Sequence, residues 1–258
     1  MNKEASSGKL KSTLHGGGSS AGKYFSLTYG PMPRWKAILM EVTTTLFCGT
    51  PGALGLLLRS TLYRPFFGAC GRGVVIGRNV TFRHPSKIRL GDGVVLDDNC
   101  VVDAKGGAES GISLGKNVYI GRNTIVYCKG GEIEIGDDVN FSSNCVVFSS
   151  NKLSMKPGTM VGAYSYLLSG GEYDYKTGVP FTAQTGMETV GPLEIGAGCW
   201  LGARVTVLDG ACIGDRCVLG AGAVVTRPLP ANSLAVGLPA KVVGTVPEES
   251  LEEVASGQ

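Results

Sequence analysis

The segment LLSGGEYDYKTGVP, residues 167–180, gathers Glu172, Tyr173 and Asp174 in a chain short of histidine. Only two histidines are present, His15 and His84. Histidine titrates near neutrality, whereas a tyrosine with a pKa near 10 must fall by roughly 3 units, about 4 kcal/mol, to be half ionised at pH 7. Glu172 and Asp174 are ionised at that pH, but an unperturbed carboxylate is a weak base towards an alcohol. Metal chemistry is not expected: the eight cysteines form no C-x-x-C pair, and two histidines cannot make a three-histidine zinc site.

What positions these groups is a repeat of six residues. In IGAGCW LGARVT VLDGAC IGDRCV LGAGAV VTRPLP each block begins with an aliphatic residue, Ile195, Leu201, Val207, Ile213, Leu219 or Val225. Four residues on stands something compact: Cys199, Val205, Ala211, Cys217, Ala223. Upstream blocks such as LGDGVV LDDNCV VDAKGG and IGDDVN FSSNCV VFSSNK follow the same rule and come in threes. Such a unit suits a short strand and a turn, with the aliphatic residue inward and the glycine serving turns of positive φ. Three units close a triangular coil, and coils stacked about 4.8 Å apart pair their backbones and bury one aliphatic column. Cys100, Cys145, Cys199 and Cys217 occupy the compact fifth position, where a free thiol packs as a small hydrophobe.

The 258 residues are 43% apolar and 17% charged, which indicates a folded chain, and 40 glycines without a G-X-Y period indicate turn-rich β structure rather than collagen. A formal charge of +3 with no basic cluster gives no case for nucleic acid. Residues 1–24 read as a flexible polar tail of a cytoplasmic protein and 244–258 as a second tail. Between them, 25–72 is an apolar helical segment and 73–243 is the repeat, with an extended loop at 169–192. Within 34–64 no charge occurs from Val42 to Leu58, and CGTPG breaks the run near its middle, which predicts two short helices rather than a spanning one. Three roles stay open for them: covering the end of the coils, lying in a membrane interface, or packing between subunits. Flanking Arg34, Lys36, Arg59 and Arg64 suit membrane contact; the run Thr43, Thr44, Thr45 suits a protein-covered site.

The blocks match the hexapeptide-repeat motif, and the chain resembles the left-handed parallel β-helix acyltransferases over residues 73–243. The resemblance implies a mainly β fold, a left-handed parallel β-helix with a short N-terminal helical segment. Left-handedness comes from the family alone and runs against the usual crossover preference. IGDRCVLGAGAVVTRPLPANSLAVGLPAKVVG is similar to the end of the xenobiotic and sugar O-acetyltransferase branch. Such proteins are homotrimers whose grooves between subunits bind acetyl-CoA or another acyl-CoA as co-substrate, beneath a loop that supplies a histidine base.

GGEYDY resembles the loop form Gly-Gly/Ser-x-His-Asp-Tyr/Phe, which sets Tyr173 at the histidine position, with Glu172 and Asp174 as its supports. His84 does not substitute: it is expected some five coils, about 20 Å, from the loop and reads as a structural turn residue. His15 falls in the tail. On the CoA side, Trp200 matches a tryptophan bordering the thioester groove, and Gly202, Ala203, Gly220 and Ala221 match its lining. Thr226, Arg227 and Lys241 match positions that approach the CoA phosphates. Trp200 also reads as a rim residue packing on a neighbouring coil, and the cations as solvated surface charges. The implied acceptor is a small molecule or glycan. Two readings follow, an acyltransferase with an atypical loop and a trimeric scaffold that has lost catalysis.

Overall fold

The computed structural model describes residues 19–105, 111–171, 173–184 and 188–247. His15 and Glu172 lie outside them. The six-residue period becomes a three-faced stack of short parallel strands. Face one contains β1 (Ala69–Cys70), β4 (Ile88–Leu90), β7 (Ile112–Leu114), β10 (Glu132–Ile135), β13 (Lys152–Met155), β16 (Leu193–Ile195) and β19 (Cys212–Ile213). Face two contains β2 (Val75–Ile76), β5 (Val95–Leu96), β8 (Tyr119–Ile120), β11 (Asn140–Phe141), β14 (Met160–Val161), β17 (Trp200–Leu201), β20 (Val218–Leu219) and β22 (Ser233–Val236). Face three contains β3 (Thr81–Arg83), β6 (Val101–Asp103), β9 (Ile125–Cys128), β12 (Val146–Ser149), β15 (Tyr166–Ser169), β18 (Thr206–Val207) and β21 (Val224–Val225). This parallel solenoid is consistent with the left-handed β-helix implied by the resemblance.

Aliphatic first positions point inward as expected. On face two, Ile76, Leu96, Ile120, Phe141, Val161, Leu201 and Leu219 form one column with no member above 2% exposure. Each such side chain stabilises the stack by about 1.5–3 kcal/mol. The cysteines of the fifth position do more than fill space. Cys100, Cys145, Cys199 and Cys217 are buried, and each thiol donates to a carbonyl of the next coil, that of Gly121, Gly162, Gly214 or Pro230. Thr159 donates to Gly196 in the same way. Burial pushes the Cys100 thiol up to about 12 and the Cys199 thiol up to about 11.

Glycines at the second position of a block do not serve positive φ, contrary to the sequence expectation, whereas those at the fourth position, Gly93, Gly198, Gly210 and Gly222, do. Gly202, at a block's second position, has ordinary φ, but a Cβ there would lie 2.7 Å from the Ala221 nitrogen of the next coil. Close approach of stacked backbones selects glycine there. Positive φ falls two residues later, at Asn79, Asn99, Asn123 and Asn144 along one corner.

Three helices close the front end. Helix α1 (Ser20–Tyr29) begins inside the stretch expected as tail, and α2 (Arg34–Phe47) and α3 (Gly52–Leu62) flank the CGTPG break. Arg59, only 2% exposed, donates to the carbonyls of Phe47, Thr50 and Ile76, tying α2 and α3 to the free edge of the first coil. His84, at φ 52°, donates its backbone N–H to Thr28, and its Nε2 meets the Ser26 carbonyl, which anchors α1. Covering the end of the coils is therefore one role the helices fill. At the other end β23 (Lys241–Thr245) reverses and pairs antiparallel with β22, passing the expected limit at 243.

Candidate functional site

The register from one coil to the next steps by 16 to 24 residues on face two except between Met160 and Trp200, where it steps by 40. The surplus is the loop between Ser169 and Leu193, leaving the stack at the corner between faces three and one. Gly170 starts it at φ 82°, where a Cβ would sit 2.2 Å from Ser150 Oγ, so only glycine turns the chain out here.

Asp209, a face-three corner residue 7% exposed, holds both ends of the loop. Its carboxylate accepts from the Gly170 N–H at 2.5 Å, from Thr189 Oγ1 at 3.1 Å and from the Val190 N–H. Asn151 Nδ2 adds a bond to Thr189 Oγ1 at 3.1 Å.

Within the loop, Gln184 fastens Asp174 by accepting from its N–H at 3.0 Å and donating to its carbonyl at 2.7 Å. The Asp174 carboxylate accepts from the Lys176 N–H at 2.8 Å, the pattern of an Asx turn. Tyr173 is 42% exposed, and its ring meets Phe181 edge-on with centroids 6.1 Å apart. Among the described residues nothing hydrogen-bonds its hydroxyl. His84 follows β3 in the first coil while the loop follows β15 in the fifth, a separation of about 20 Å at the spacing of stacked strands. Its role is structural.

The expected site residues fall into two groups on different corners. Tyr173, Asp174, Thr226 and Arg227 share the corner between faces three and one, where the loop and the end of β21 lie. Trp200, 58% exposed, stands on face two, and Gly202, Ala203, Gly220 and Ala221 form the turn between faces two and three. Lys241 opens β23, exposed beside that second group. The whole of face three separates the groups within one chain. A surface hollow lined by Ala197, Gly198, Asp215, Arg216, Ala231 and Asn232 adjoins Trp200 at the corner between faces one and two.

Two residues escaped the sequence reading. Tyr164 and Arg204 occupy the corner positions that hold asparagine in earlier coils, at φ 62° and 60°, with the guanidinium 5.9 Å from the ring centre. Bulky side chains in the left-handed region are costly, about 1–2 kcal/mol each, and here they project beside Gly202 and Ala203. The detectable signal was the loss of Asn or Gly at that block position in AYSY and ARVT.

Residues 192–227 match the family model described as bacterial transferase hexapeptide, six repeats. A Staphylococcus aureus (strain MRSA252) protein named as an acetyltransferase is 37% identical over 129 residues, covering 48% of this chain and 62% of that protein. Less than two thirds of that relative's length is thus spanned. The galactoside O-acetyltransferase of Escherichia coli (strain K12) is 27% identical over 177 residues, 67% of this chain and 76% of that one. Among solved structures, a variant of the Bacillus cereus N-acyltransferase AntD with dTDP and coenzyme A superposes with a TM-score of 0.52 at 18% identity, covering 76% of this chain and 92% of that one. The structural likeness bears on the fold.

Proposed function

We propose that this chain, a hexapeptide-repeat β-helix protein, is an acyl-CoA-dependent acyltransferase whose active site forms between the subunits of a homotrimer. The observation that carries the reading is the division of the expected site between two corners. One copy holds two half-sites that cannot meet. A ring in which face two of one copy contacts face three of the next sets the loop corner of one, with Thr226 and Arg227, against the outer edge of face two of another, where Trp200 projects, and leaves Gly202, Ala203, Gly220, Ala221 and Lys241 along the inner edge of the same groove. The outward side chains support it. Face one presents Arg89, Glu134, Lys152 and Glu194, whereas face three presents Val101, Ile125, Val146, Tyr166 and Val224, and face two Val95, Tyr119, Met160 and Val218. Apolar outer faces on a solenoid mark contact surfaces.

In the reaction, a lone pair on the acceptor nitrogen or oxygen attacks the thioester carbonyl. The carbon–sulfur bond breaks, the acyl group remains on the acceptor, and the acceptor's proton leaves with sulfur as the free thiol of CoA. Tyr173 lies where the family places histidine, and Glu172 and Asp174 flank it. A positioned base is worth about 10² to 10⁴ in rate, while holding two reactants in register is worth about 10⁵ to 10⁸ M of effective concentration. Transfer therefore rests mainly on orientation and favours an acceptor already nucleophilic, such as an amine of low pKa. The galactoside enzyme's name supports a sugar as the acceptor class. Tyr164 and Arg204 extend the CoA side of the groove.

The Tyr173 hydroxyl, without a partner among the described residues, favours a second reading, a trimeric scaffold or binding protein without catalysis. Thermal unfolding with acetyl-CoA and longer acyl-CoAs comes first, since a ligand at 100 times its Kd stabilises by about 2.7 kcal/mol. No shift with any CoA overturns the transferase reading. Thiol release is then measured on a panel of amino and hydroxy sugars for the wild type, Tyr173→Phe and Tyr173→His. Turnover that falls in Tyr173→Phe supports the tyrosine's part; turnover seen only in Tyr173→His supports the inactive scaffold.

A further inference from the structure

Helix α2 has two opposite faces. Ala37, Met40 and Thr43 turn towards the protein and are buried, while Trp35, Ile38, Leu39, Val42 and Leu46 turn away. Spacings of three and four residues place those five along one stripe. Helix α3 repeats the arrangement: Gly55 and Arg59 face the first coil, and Leu54 and Leu57 face solvent. Trp35 is 68% exposed and Leu57 62%. So much contiguous apolar surface is unstable in water unless something covers it.

Charge identifies the cover. Between residues 34 and 64 the one carboxylate is Glu41, and it is turned back to α1, where the hydroxyls of Tyr24 and Tyr29 donate to it. Arg34 and Lys36 flank Trp35 at the start of the stripe and make no ion pair with a described residue. An apolar stripe with a tryptophan, cations at its edge and no available carboxylate complements an interface of acyl chains and anionic headgroups. Among the described residues no helix is long and apolar enough to cross a membrane.

We infer that α2 and α3 seat this protein on an anionic phospholipid surface, with their outer side chains in the headgroup and acyl boundary. The helices thus serve two of the roles left open by the sequence, one on each face. Their inner face seals the coils, and their outer face binds lipid. In the proposed trimer three such caps stand at the same end of the assembly, so weak single contacts combine. The inference is independent of acyl transfer.

Flotation of the full chain with vesicles of phosphatidylcholine, alone or mixed with phosphatidylglycerol, tests it. The expected result is flotation with the mixed vesicles, weaker flotation with phosphatidylcholine alone, and loss with added salt. Leu39→Glu or Leu57→Glu, both on exposed positions, lowers partitioning about tenfold or more. Arg34→Glu with Lys36→Glu removes the preference for the anionic lipid. In a Trp200→Phe protein, Trp35 is the remaining tryptophan, and its emission shifts to the blue and is quenched by brominated acyl chains. The inference is overturned if the chain stays unbound to both vesicles, if it binds both equally, or if the same two leucine substitutions instead halve the mass of the assembly, which makes the face a contact between copies.

Discussion

Asp209→Asn tests the loop's attachment most directly. The carboxylate accepts from Gly170, Thr189 and Val190, and the amide that replaces it keeps one acceptor oxygen while turning an NH₂ towards a donor. Hydrogen bonds to a charged group are worth about 1.5–3 kcal/mol each. Losing at least one such bond lowers the free energy of opening the loop by about that amount, and full additivity is not assumed, because all three share one carboxylate. A 1.4 kcal/mol change is tenfold, so the open population rises roughly 10- to 100-fold. Amide hydrogen exchange reads this at Gly170 and Val190, which should lose protection by that factor. Amides of the stacked strands, such as Trp200 and Thr206, donate to carbonyls of the next coil and should not change. Uniform deprotection across the coils would show that Asp209 supports the solenoid itself, and unchanged exchange at Val190 would show that the clasp is unnecessary. Either result refutes the reasoning.

Tyr164→Asn restores the residue that earlier coils place at this left-handed corner. It should raise unfolding stability in urea by about 1 kcal/mol while weakening CoA binding severalfold, and a stabilised variant with unchanged CoA affinity removes Tyr164 from the groove. His84 is held below its ordinary pKa of 6.5, first by burial, and its Nδ1 is buried without a partner among the described residues. The native state therefore prefers neutral imidazole, so this stability is fully present above about pH 6.5 and declines as the unfolded chain takes up protons below it. Melting temperature should fall more steeply from about pH 7 to pH 5 in the wild type than in His84→Asn, and parallel slopes would contradict the coupling.

The repeat was legible because every first position reports on the interior directly: Ile195, Leu201 and Val207 read as inward residues and are. The break at 169–192 was legible for the same reason, as a lapse in that reporting. Asp209 was not. It stands in an ordinary block, VLDGAC, and its partner Gly170 is 39 residues away, so local spacing carries no trace of the bond. Nor does a period of six reveal which corner a residue occupies relative to another coil's insertion. Tyr173 and Trp200 were expected in one groove between subunits, and the period alone does not show that face three separates them within a single chain. The helices were legible as short and broken at CGTPG; their two-sided use needed the first coil's position. The role expected of the second-position glycines failed, though Gly198 and Gly210 at the fourth position fill it, because a sequence marks where small residues are required without saying whether torsion or a neighbouring backbone requires them.

The antiparallel turn of β23 against β22 has a consequence for the molecule's fate outside its own fold. A stack of parallel coils is a template at both ends, since each terminal strand offers unpaired backbone groups to any similar strand. Growth by addition of further coils would make a filament. Here the last coil meets a strand running the wrong way, with an irregularity between Leu234 and Ala235 that upsets the ladder, and the first coil's edge is occupied by the Arg59 guanidinium and the helices. The length of the prism is thereby finite, and association is directed sideways, to the faces.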